Sequence, residues 1–385
     1  MYSKKDDLKK IKVMHLLHTY IPKLSGVALN THTILAELAK FESCECVVFA
    51  PHEKSFDVKV NIDSYRIIRY TKSPMKRFID AAFVVCQLLA LYRKERFDIL
   101  HCHGVDQIYF GSLFKKFIPS VILVGMLRND KMFKSGKRRI RRFSKSLPYV
   151  DKIISINPAI TEILLTRNPD IGEKIVEIPL GIAQEFYESV ASGSARDVKY
   201  IMYLGRLTGI KRLDILFKAF SLVRQNNSRI FLYIVGGGSD LNKLKDLAKS
   251  LNIEDKVCFL GVKTGEEKIK LIKNAELFVF TSSAGEGFGV VLLEALVCRK
   301  IIVANDYSII KTLIKDGKTG LIYKYDYPED LADKILFGLQ NRQSLETKLI
   351  PYIDEMLPQY DVRSVASKYA ELYKRLLSEK QEHKK

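Results

Sequence analysis

The chain of 385 residues contains no tryptophan and only six cysteines. The cysteines have no regular spacing, which argues against a disulfide framework and is typical of reduced intracellular thiols. It also lacks the run of about 20 apolar residues that a membrane span requires. The longest candidate, residues 78–92, includes Asp80 and Gln87 and predicts a buried or interfacial helix. Because the start, MYSKKDDLKK, has no signal-peptide core, we expect a soluble, cytoplasmic protein.

Acidic residues are scarce in the first half of the chain. The whole sequence has 63 Lys and Arg against 44 Asp and Glu, a net charge of +19. Residues 1–150 hold 28 basic and 13 acidic residues, whereas the remainder holds 35 and 31. The densest basic block is RNDKMFKSGKRRIRRFSK, residues 128–145. Such a block can face nucleic acid, an anionic membrane or only solvent.

Short apolar runs alternate with helical patterns along the chain, which predicts a doubly wound α/β fold. The alternation stops at the small, polar residues 189–198 and starts again at 199. We therefore predict two Rossmann-like domains facing across a cleft, 1–190 and 198–361. A final helix at about 362–385 is predicted to return to the first domain. Parallel sheets of this kind bind ligands at the carboxyl ends of their strands.

Glycines follow the predicted strands in four places: LSGV (24–27), LGRLTGIK (204–211), VGGGSD (235–240) and AGEGFG (284–289). A glycine here lets the backbone approach a ligand, and the next helix offers free N–H groups to a phosphate. Tight turns also use glycine for steric reasons alone. No segment is a Walker loop or a complete dinucleotide-binding fingerprint, so the four turns indicate only a phosphorylated ligand.

Three charged residues in the second half suggest what such a ligand contains. Arg206 and Lys211 share one turn and can hold a diphosphate from two sides, or else both face solvent. Glu294 lies in the apolar run VVLLEALV, about a turn and a half into the predicted helix. A buried carboxylate requires a partner. We expect that partner to be a ribose diol; the alternative is a lysine or a neighbouring backbone group.

The arrangement resembles the retaining, nucleotide-sugar-dependent GT-B glycosyltransferases of family 4. The resemblance depends on the pair Glu286 and Glu294 within GEGFGVVLLEAL, on LGRLTGIK, and on GV at 26–27. It extends to DILHCH at 98–103 and KTLIKDGKTGLIY at 311–323, and it is strongest over residues 199–335. Three departures concern details of phosphate contact: Ser25 before Gly26, PLGIA at 179–183, and Arg212 after Lys211.

The resemblance implies a role for each matching residue. It implies that the donor's diphosphate is held by Arg206 and Lys211, the ribose by Glu294 and the sugar hydroxyls by Glu286. It implies catalytic roles for Glu286, His103, Arg206 and Lys211. The remaining donor-binding residues that it implies, the base contacts included, are Gly26, Val262, Lys263, Phe288, Gly289 and Val290.

No metal or other cofactor is expected. The sequence has no D-x-D motif, and a cationic clamp with a helix N-terminus stabilises a leaving diphosphate without a metal. His101, Cys102 and His103 offer an alternative metal site. Only the two histidines share a strand face, however, and two ligands are too few. The resemblance implies front-face attack in which the donor's own phosphate takes the acceptor's proton.

The basic first half is expected to meet the acceptor. In GT-B enzymes this domain generally does so, and a basic patch suits docking on anionic lipid, with a lipid, a lipid-linked glycan or another surface glycan as acceptor. The patch residues are Arg128, Lys137, Arg138, Arg139, Arg141 and Arg142. Two rival functions stay open: a sugar-nucleotide epimerase of the same fold, and a nucleic-acid-binding protein. The basic block has little aromatic interleaving for base stacking, which disfavours nucleic acid.

Overall fold

The computed structural model describes residues 10–21, 26–52, 64–71, 79–128, 136–188, 198–283, 289–307 and 310–382. The chain divides into two compact units. The N-terminal unit comprises Met1–Gly181 and Val362–Lys385, and the C-terminal unit comprises Ile182–Asp361. This division precedes the predicted linker at 189–198, of which only residue 198 is described. The last helix belongs to the N-terminal unit, as the sequence predicted.

Within its described residues, the N-terminal unit has one parallel sheet of seven strands, in the order β3-β2-β1-β4-β5-β6-β7. The strands are β1 (Ile11–Leu16), β2 (Cys44–Pro51), β3 (Arg66–Tyr70), β4 (Ile99–His103), β5 (Ile122–Leu127), β6 (Lys152–Ser155) and β7 (Ile175–Glu177). Every residue of β4 and β5 is buried, which agrees with the near-continuous apolar runs of a sheet covered on both faces.

Helices connect these strands and cover the sheet. They are α1 (Gly26–Leu38), α2 (Ile79–Glu95), α3 (Val105–Phe117), α4 (Lys137–Ser146), α5 (Pro158–Arg167) and the C-terminal α13 (Val362–Glu382). α3 packs against β4 and β5, and α13 packs against α1. None of the helices that the structure describes is both long enough and apolar enough to cross a membrane.

The described part of the C-terminal unit contains a second parallel sheet, with six strands in the order β10-β9-β8-β11-β12-β13. The strands are β8 (Tyr200–Leu204), β9 (Phe231–Val235), β10 (Val257–Gly261), β11 (Leu277–Phe280), β12 (Ile302–Asn305) and β13 (Leu321–Tyr323). The helices are α6 (Glu185–Glu188), α7 (Leu213–Asn226), α8 (Leu241–Ser250), α9 (Gly265–Asn274), α10 (Val290–Val297), α11 (Pro328–Gln340) and α12 (Arg342–Met356).

Both units therefore have the predicted α/β architecture, and β3 and α3 are among the elements that the sequence did not predict. β3 is the edge strand of its sheet and only Tyr70 of it is buried, so its sequence RIIRY lacks a clear apolar run. α3 begins two residues after β4, and no turn sequence separates the two.

Candidate functional site

The site in the C-terminal unit is built around the start of α10. Gly289 caps this helix with φ 68° and ψ 71°, a left-handed conformation that favours glycine. A Cβ at this position would lie 3.2 Å from Leu292 Cδ1 and 3.4 Å from Phe280 Cζ. The first helical residue is Val290. The backbone N–H of Leu292 donates to the Gly289 carbonyl (2.8 Å), whereas those of Val290 and Val291, at the very start of the helix, are suited to an anion.

The turn after β8 is fastened to the strand end that leads to α10. Ser283 donates its backbone N–H to the Ile210 carbonyl (2.8 Å), and Thr281 Oγ1 donates to the Lys211 carbonyl (2.7 Å). The Lys211 ammonium lies 5.7 Å from the centroid of the Phe280 ring, the same ring that faces Gly289. The structure therefore brings the buried Lys211 close to the start of α10.

Arg206 lies two residues beyond β8 and is exposed. Its carbonyl accepts a hydrogen bond from the Tyr203 hydroxyl (3.3 Å), which fixes the backbone of the turn while the side chain extends outward. Of the two predicted cations, one is therefore buried against the sheet and the other is accessible to solvent.

The glycines of VGGGSD have a steric function. A Cβ at Gly236 would lie 1.9 Å from the Gly205 carbonyl oxygen, and one at Gly238 would lie 2.2 Å from that of Leu207. The turns after β8 and β9 therefore touch, which only glycine allows here. In this turn, the close packing of the two backbones is sufficient to explain the glycines, and a bound phosphate is not needed to explain them.

Glu294 has a partner, and it is a lysine. The Lys268 ammonium of α9 lies 2.9 Å from Glu294 Oε1, and only 14% and 11% of the two side chains are exposed. Glu294 Oε2 is also buried but has no hydrogen-bond partner among the described residues. The alternative of a lysine pair is thus correct for one carboxylate oxygen, whereas the other remains able to accept a hydrogen bond.

Two residues predicted to lie near a nucleobase follow β10. Val262 is 62% exposed and contacts the turn at Gly237, where an added Cβ would lie 3.4 Å from Val262 Cγ2. Lys263 is half-buried and pairs with Glu267 at 2.5 Å. Both are therefore at the same sheet edge as the β8 and β9 turns.

Two predicted site residues, Glu286 and Phe288, lie outside the described residues. Two others, Gly26 and His103, belong to the N-terminal unit. Gly26 is exposed and begins α1, while His103 ends β4 and is 6% exposed.

His103 belongs to a cluster of three buried histidines that the sequence did not reveal. His15 of β1 is paired in register with His101 of β4, which brings both next to His103. His15 Nδ1 lies 3.2 Å from His103 Nε2, and His101 Nδ1 lies 2.7 Å from the hydroxyl of Tyr373 in α13. His15 lies on β1, the strand next to β4. The register that places it beside His101 cannot be read from one sequence.

The cluster is electrically neutral apart from one arginine. Burial, reinforced by the positive charge of Arg128, lowers the pKa of His15 from 6.5 to about 3. Burial also holds the pKa values of His101 and His103 well below the ordinary value. All three imidazoles are therefore uncharged near pH 7, so each has one nitrogen that donates and one that accepts.

The same three histidines are close enough together to be metal ligands, but the arrangement of two of the rings does not fit a metal site. One nitrogen of each lies within 4.8 Å of the others. However, the His101 and His103 rings are stacked, with centroids 4.4 Å apart and planes 22° apart, so a single nearby ion cannot lie in the planes of both rings, where the nitrogen lone pairs are. Arg128 lines the same cavity, whose volume of about 10 Å³ is near that needed for one water molecule.

Arg128 is not part of a surface patch, contrary to the sequence prediction. Its guanidinium points inward, 3.4 Å from both the Val27 carbonyl and Asn30 Oδ1. The reason is its position directly after β5, from which it reaches Val27 and Asn30 of α1.

The rest of the predicted basic patch forms the exposed part of α4. Its exposed basic residues are Lys137, Arg138, Arg139 and Arg141, while Arg142 is half-buried. Arg139 and Arg142 pair with Asp106 at 3.3 and 3.1 Å. Phe143 anchors the helix in the core.

Arg212, which departs from the family pattern, has φ 49° and ψ 42°. This left-handed conformation explains why glycine suits the position. Arg212 instead binds Asp214 (3.1 Å), Asp326 (2.5 Å) and the Tyr325 hydroxyl (3.1 Å). These contacts hold the turn that presents Lys211.

Two family models match the chain. The model described as Glycosyltransferase Family 4 matches residues 24–186, and the model described as Glycosyl transferases group 1 matches residues 187–356. The two matches adjoin, so together they account for most of both units.

Similar proteins include two lipid-modifying enzymes and a solved structure. The chain is 26% identical over 367 residues to alpha-monoglucosyldiacylglycerol synthase of Streptococcus pneumoniae, covering 86% of this chain and 80% of that one. It is 29% identical over 210 residues to phosphatidyl-myo-inositol mannosyltransferase of Mycobacterium tuberculosis, covering 53% and 54%. The structure of Anabaena Alr3699/HepE in complex with UDP and glucose matches with a TM-score of 0.81 at 19% identity, covering 95% of this chain and 100% of that one. That likeness supports the fold.

Proposed function

The chain belongs to glycosyltransferase family 4 and has the GT-B fold, and from this premise we propose that it is a retaining transferase using a nucleoside diphosphate sugar. The observation that carries the proposal is the grouping at α10. A cation, Lys211, lies near the helix start, and a buried carboxylate oxygen of Glu294 lies further along the helix. In a nucleoside diphosphate the diphosphate and the ribose are neighbouring groups, and the cation suits the first while the carboxylate oxygen suits a hydroxyl of the second.

Each group supports one part of the reaction. As the bond between the anomeric carbon and the diphosphate oxygen breaks, negative charge grows on the leaving oxygen. Lys211, Arg206 and the N–H groups at the start of α10 stabilise this charge. The acceptor hydroxyl attacks from the same face and passes its proton to the leaving phosphate. By family resemblance, Glu286 binds sugar hydroxyls, and the neutral His103 has a catalytic role.

We further propose that no metal takes part. Two cations and a helix N-terminus already supply positive charge at the diphosphate, and the histidine cluster does not fit a divalent ion. The neighbouring structure with UDP and glucose is consistent with a UDP-sugar donor, and a GDP-sugar is the second candidate.

A thermal-shift panel of UDP- and GDP-sugars tests the donor proposal. Because the chain lacks tryptophan, unfolding is followed by circular dichroism. We expect one donor class to raise the melting temperature, with and without EDTA. Glu294→Gln should abolish the shift, whereas Glu355→Gln, an exposed glutamate of α12, should preserve it. Loss of the shift in EDTA contradicts metal independence. Failure of every donor contradicts the transferase assignment at this site.

For the acceptor we propose a lipid or lipid-linked glycan reached by docking α4 on an anionic membrane, on the cytoplasmic side. The names of the two lipid-modifying relatives support a lipid acceptor. The exposed cations of α4 support the docking, since each contributes roughly 1 kcal/mol near an anionic surface.

Vesicle sedimentation tests the docking. Replacing Lys137, Arg138 and Arg141 with glutamine should weaken binding to phosphatidylglycerol vesicles by about a hundredfold at low salt. The matched control replaces three exposed lysines of α8, namely Lys243, Lys245 and Lys249, and should bind as the wild type does. If the wild-type protein ignores anionic vesicles yet glycosylates a soluble acceptor, the membrane proposal is wrong.

A further inference from the structure

The contact with Lys268 leaves the two oxygens of the Glu294 carboxylate in different environments. Lys268 extends from α9, and its ammonium lies 2.9 Å from Glu294 Oε1. Glu294 Oε2 is buried without a partner among the described residues, in a side chain that is 11% exposed. A buried, unsatisfied carboxylate oxygen is costly, so its presence here indicates that a ligand supplies the missing donor.

The pairing also limits how a diol can bind. A free carboxylate accepts one hydrogen bond on each oxygen from two neighbouring hydroxyls. Here Oε1 already accepts from Lys268, so Oε2 is the oxygen of Glu294 that lacks a partner among the described residues. The second hydroxyl of a diol then lies on the side of the ammonium, which has three N–H donors and uses one for Glu294.

The position of Lys268 is restricted on its other side. The ammonium lies 4.9 Å from the centroid of the Phe186 ring, a favourable cation–π contact. Only 14% of the lysine side chain is exposed, so it has little freedom to swing away. Phe186 and Glu294 together hold the ammonium beside the carboxylate.

We propose that Lys268 is a second ribose-binding residue: one ribose hydroxyl donates to Glu294 Oε2, and its neighbour accepts from Lys268 Nζ. This inference rests on the proposed nucleotide-sugar function and extends it. In this arrangement, recognition of both ribose hydroxyls depends on the ion pair of Lys268 and Glu294. The lysine neutralises the buried carboxylate and also contacts the ligand.

Three variants separate this role from a purely structural one. Lys268→Met keeps the side-chain stem and removes the donors. Lys268→Arg keeps the charge, but its planar guanidinium suits both carboxylate oxygens and so occupies Oε2. The control is Lys270→Met on the same helix, where the lysine is 53% exposed and pairs with Glu266 at 2.9 Å.

The probes are uridine and guanosine diphosphate with their 2′-deoxy and 3′-deoxy counterparts, titrated by calorimetry. Wild type and Lys270→Met should prefer a ribonucleotide to its deoxy counterparts by about tenfold or more, the effect of one charge-assisted hydrogen bond. Lys268→Met and Lys268→Arg should bind the ribonucleotide about tenfold more weakly and lose most of this preference. Circular dichroism checks that each variant is folded, and Lys268→Arg keeps the test valid if Lys268→Met unfolds.

The outcomes are distinct. If the wild type prefers the ribonucleotide and folded Lys268→Arg does so equally, Lys268 is not a ribose ligand. If Lys268→Met binds more tightly, the lysine competes with ribose and the inference is likewise wrong. If the wild type binds neither diphosphate, the proposed function fails, and this inference with it.

Discussion

Replacing His15 with asparagine should make the N-terminal unit less sensitive to acid. His15 is 1% exposed, and burial together with Arg128 lowers its pKa to about 3. In the unfolded chain the same imidazole regains its ordinary value of 6.5. As the pH falls below 6.5, the unfolded state therefore takes up a proton that the folded state refuses, and stability is lost until the pH approaches 3.

The magnitude follows from the two values. One pKa unit corresponds to about 1.4 kcal/mol, so the imidazole costs the folded state about 2 kcal/mol of stability between pH 7 and pH 5. His101 and His103 act in the same direction, because burial lowers their pKa values too. Asparagine has no charge to gain, so His15→Asn should lose about 2 kcal/mol less than the wild type over this interval.

The assay must report on the N-terminal unit alone. The chain has no tryptophan, and Tyr92 of α2 contacts the rings of Phe97 and Phe114 at 5.1 and 5.8 Å between centroids. A Tyr92→Trp background therefore gives a fluorescence signal from this unit. Urea unfolding is measured at pH 7, 6 and 5 in this background with and without His15→Asn, and with His52→Gln as the control at an exposed histidine.

Two results would refute the reasoning. The first is a wild-type stability that does not fall between pH 7 and pH 5, which would mean that the cluster accepts protons while folded. The second is an equal fall in wild type and His15→Asn, which would assign the loss to other groups. His52→Gln should follow the wild type at every pH.

Two further predictions concern turns of the C-terminal unit. Because Arg212 has a left-handed backbone, Arg212→Gly should be about 1 kcal/mol more stable to urea than Arg212→Ala, although both lose the contacts to Asp214 and Asp326; equal stabilities would exclude backbone strain. Gly289→Ala should cost about 1–2 kcal/mol, since it adds a left-handed alanine and a close contact with Leu292, and should weaken nucleotide binding in calorimetry. Unchanged binding and stability would show that the start of α10 tolerates a side chain.

The fold was largely predictable because the relevant signals are local. Buried parallel strands read as apolar runs, and most of the helices between them have apolar residues at helical spacing. β3 was not predicted because an edge strand needs no continuous apolar run, as its sequence RIIRY illustrates. α3 was not predicted because it follows β4 without an intervening turn sequence.

The site was only partly predictable. Lys211 was predicted as a site residue from its place in a glycine turn, and the structure places it near the start of α10. Arg128 was misplaced, because a basic block in the sequence does not tell which of its members faces the core. Lys268 was not identified, since a lysine in an amphipathic helix usually faces solvent, and only packing of α9 against α10 reveals its partner.

The sequence alone determined the α/β architecture and the types of residue available at the strand ends, because periodicity and turn chemistry act over a few residues. Tertiary structure alone decided which polar side chains meet. His15 reaches His103 across 88 residues and Lys268 reaches Glu294 across 26, through strand register and helix packing. These contacts depend on long-range packing in three dimensions, so no local pattern in the sequence records them.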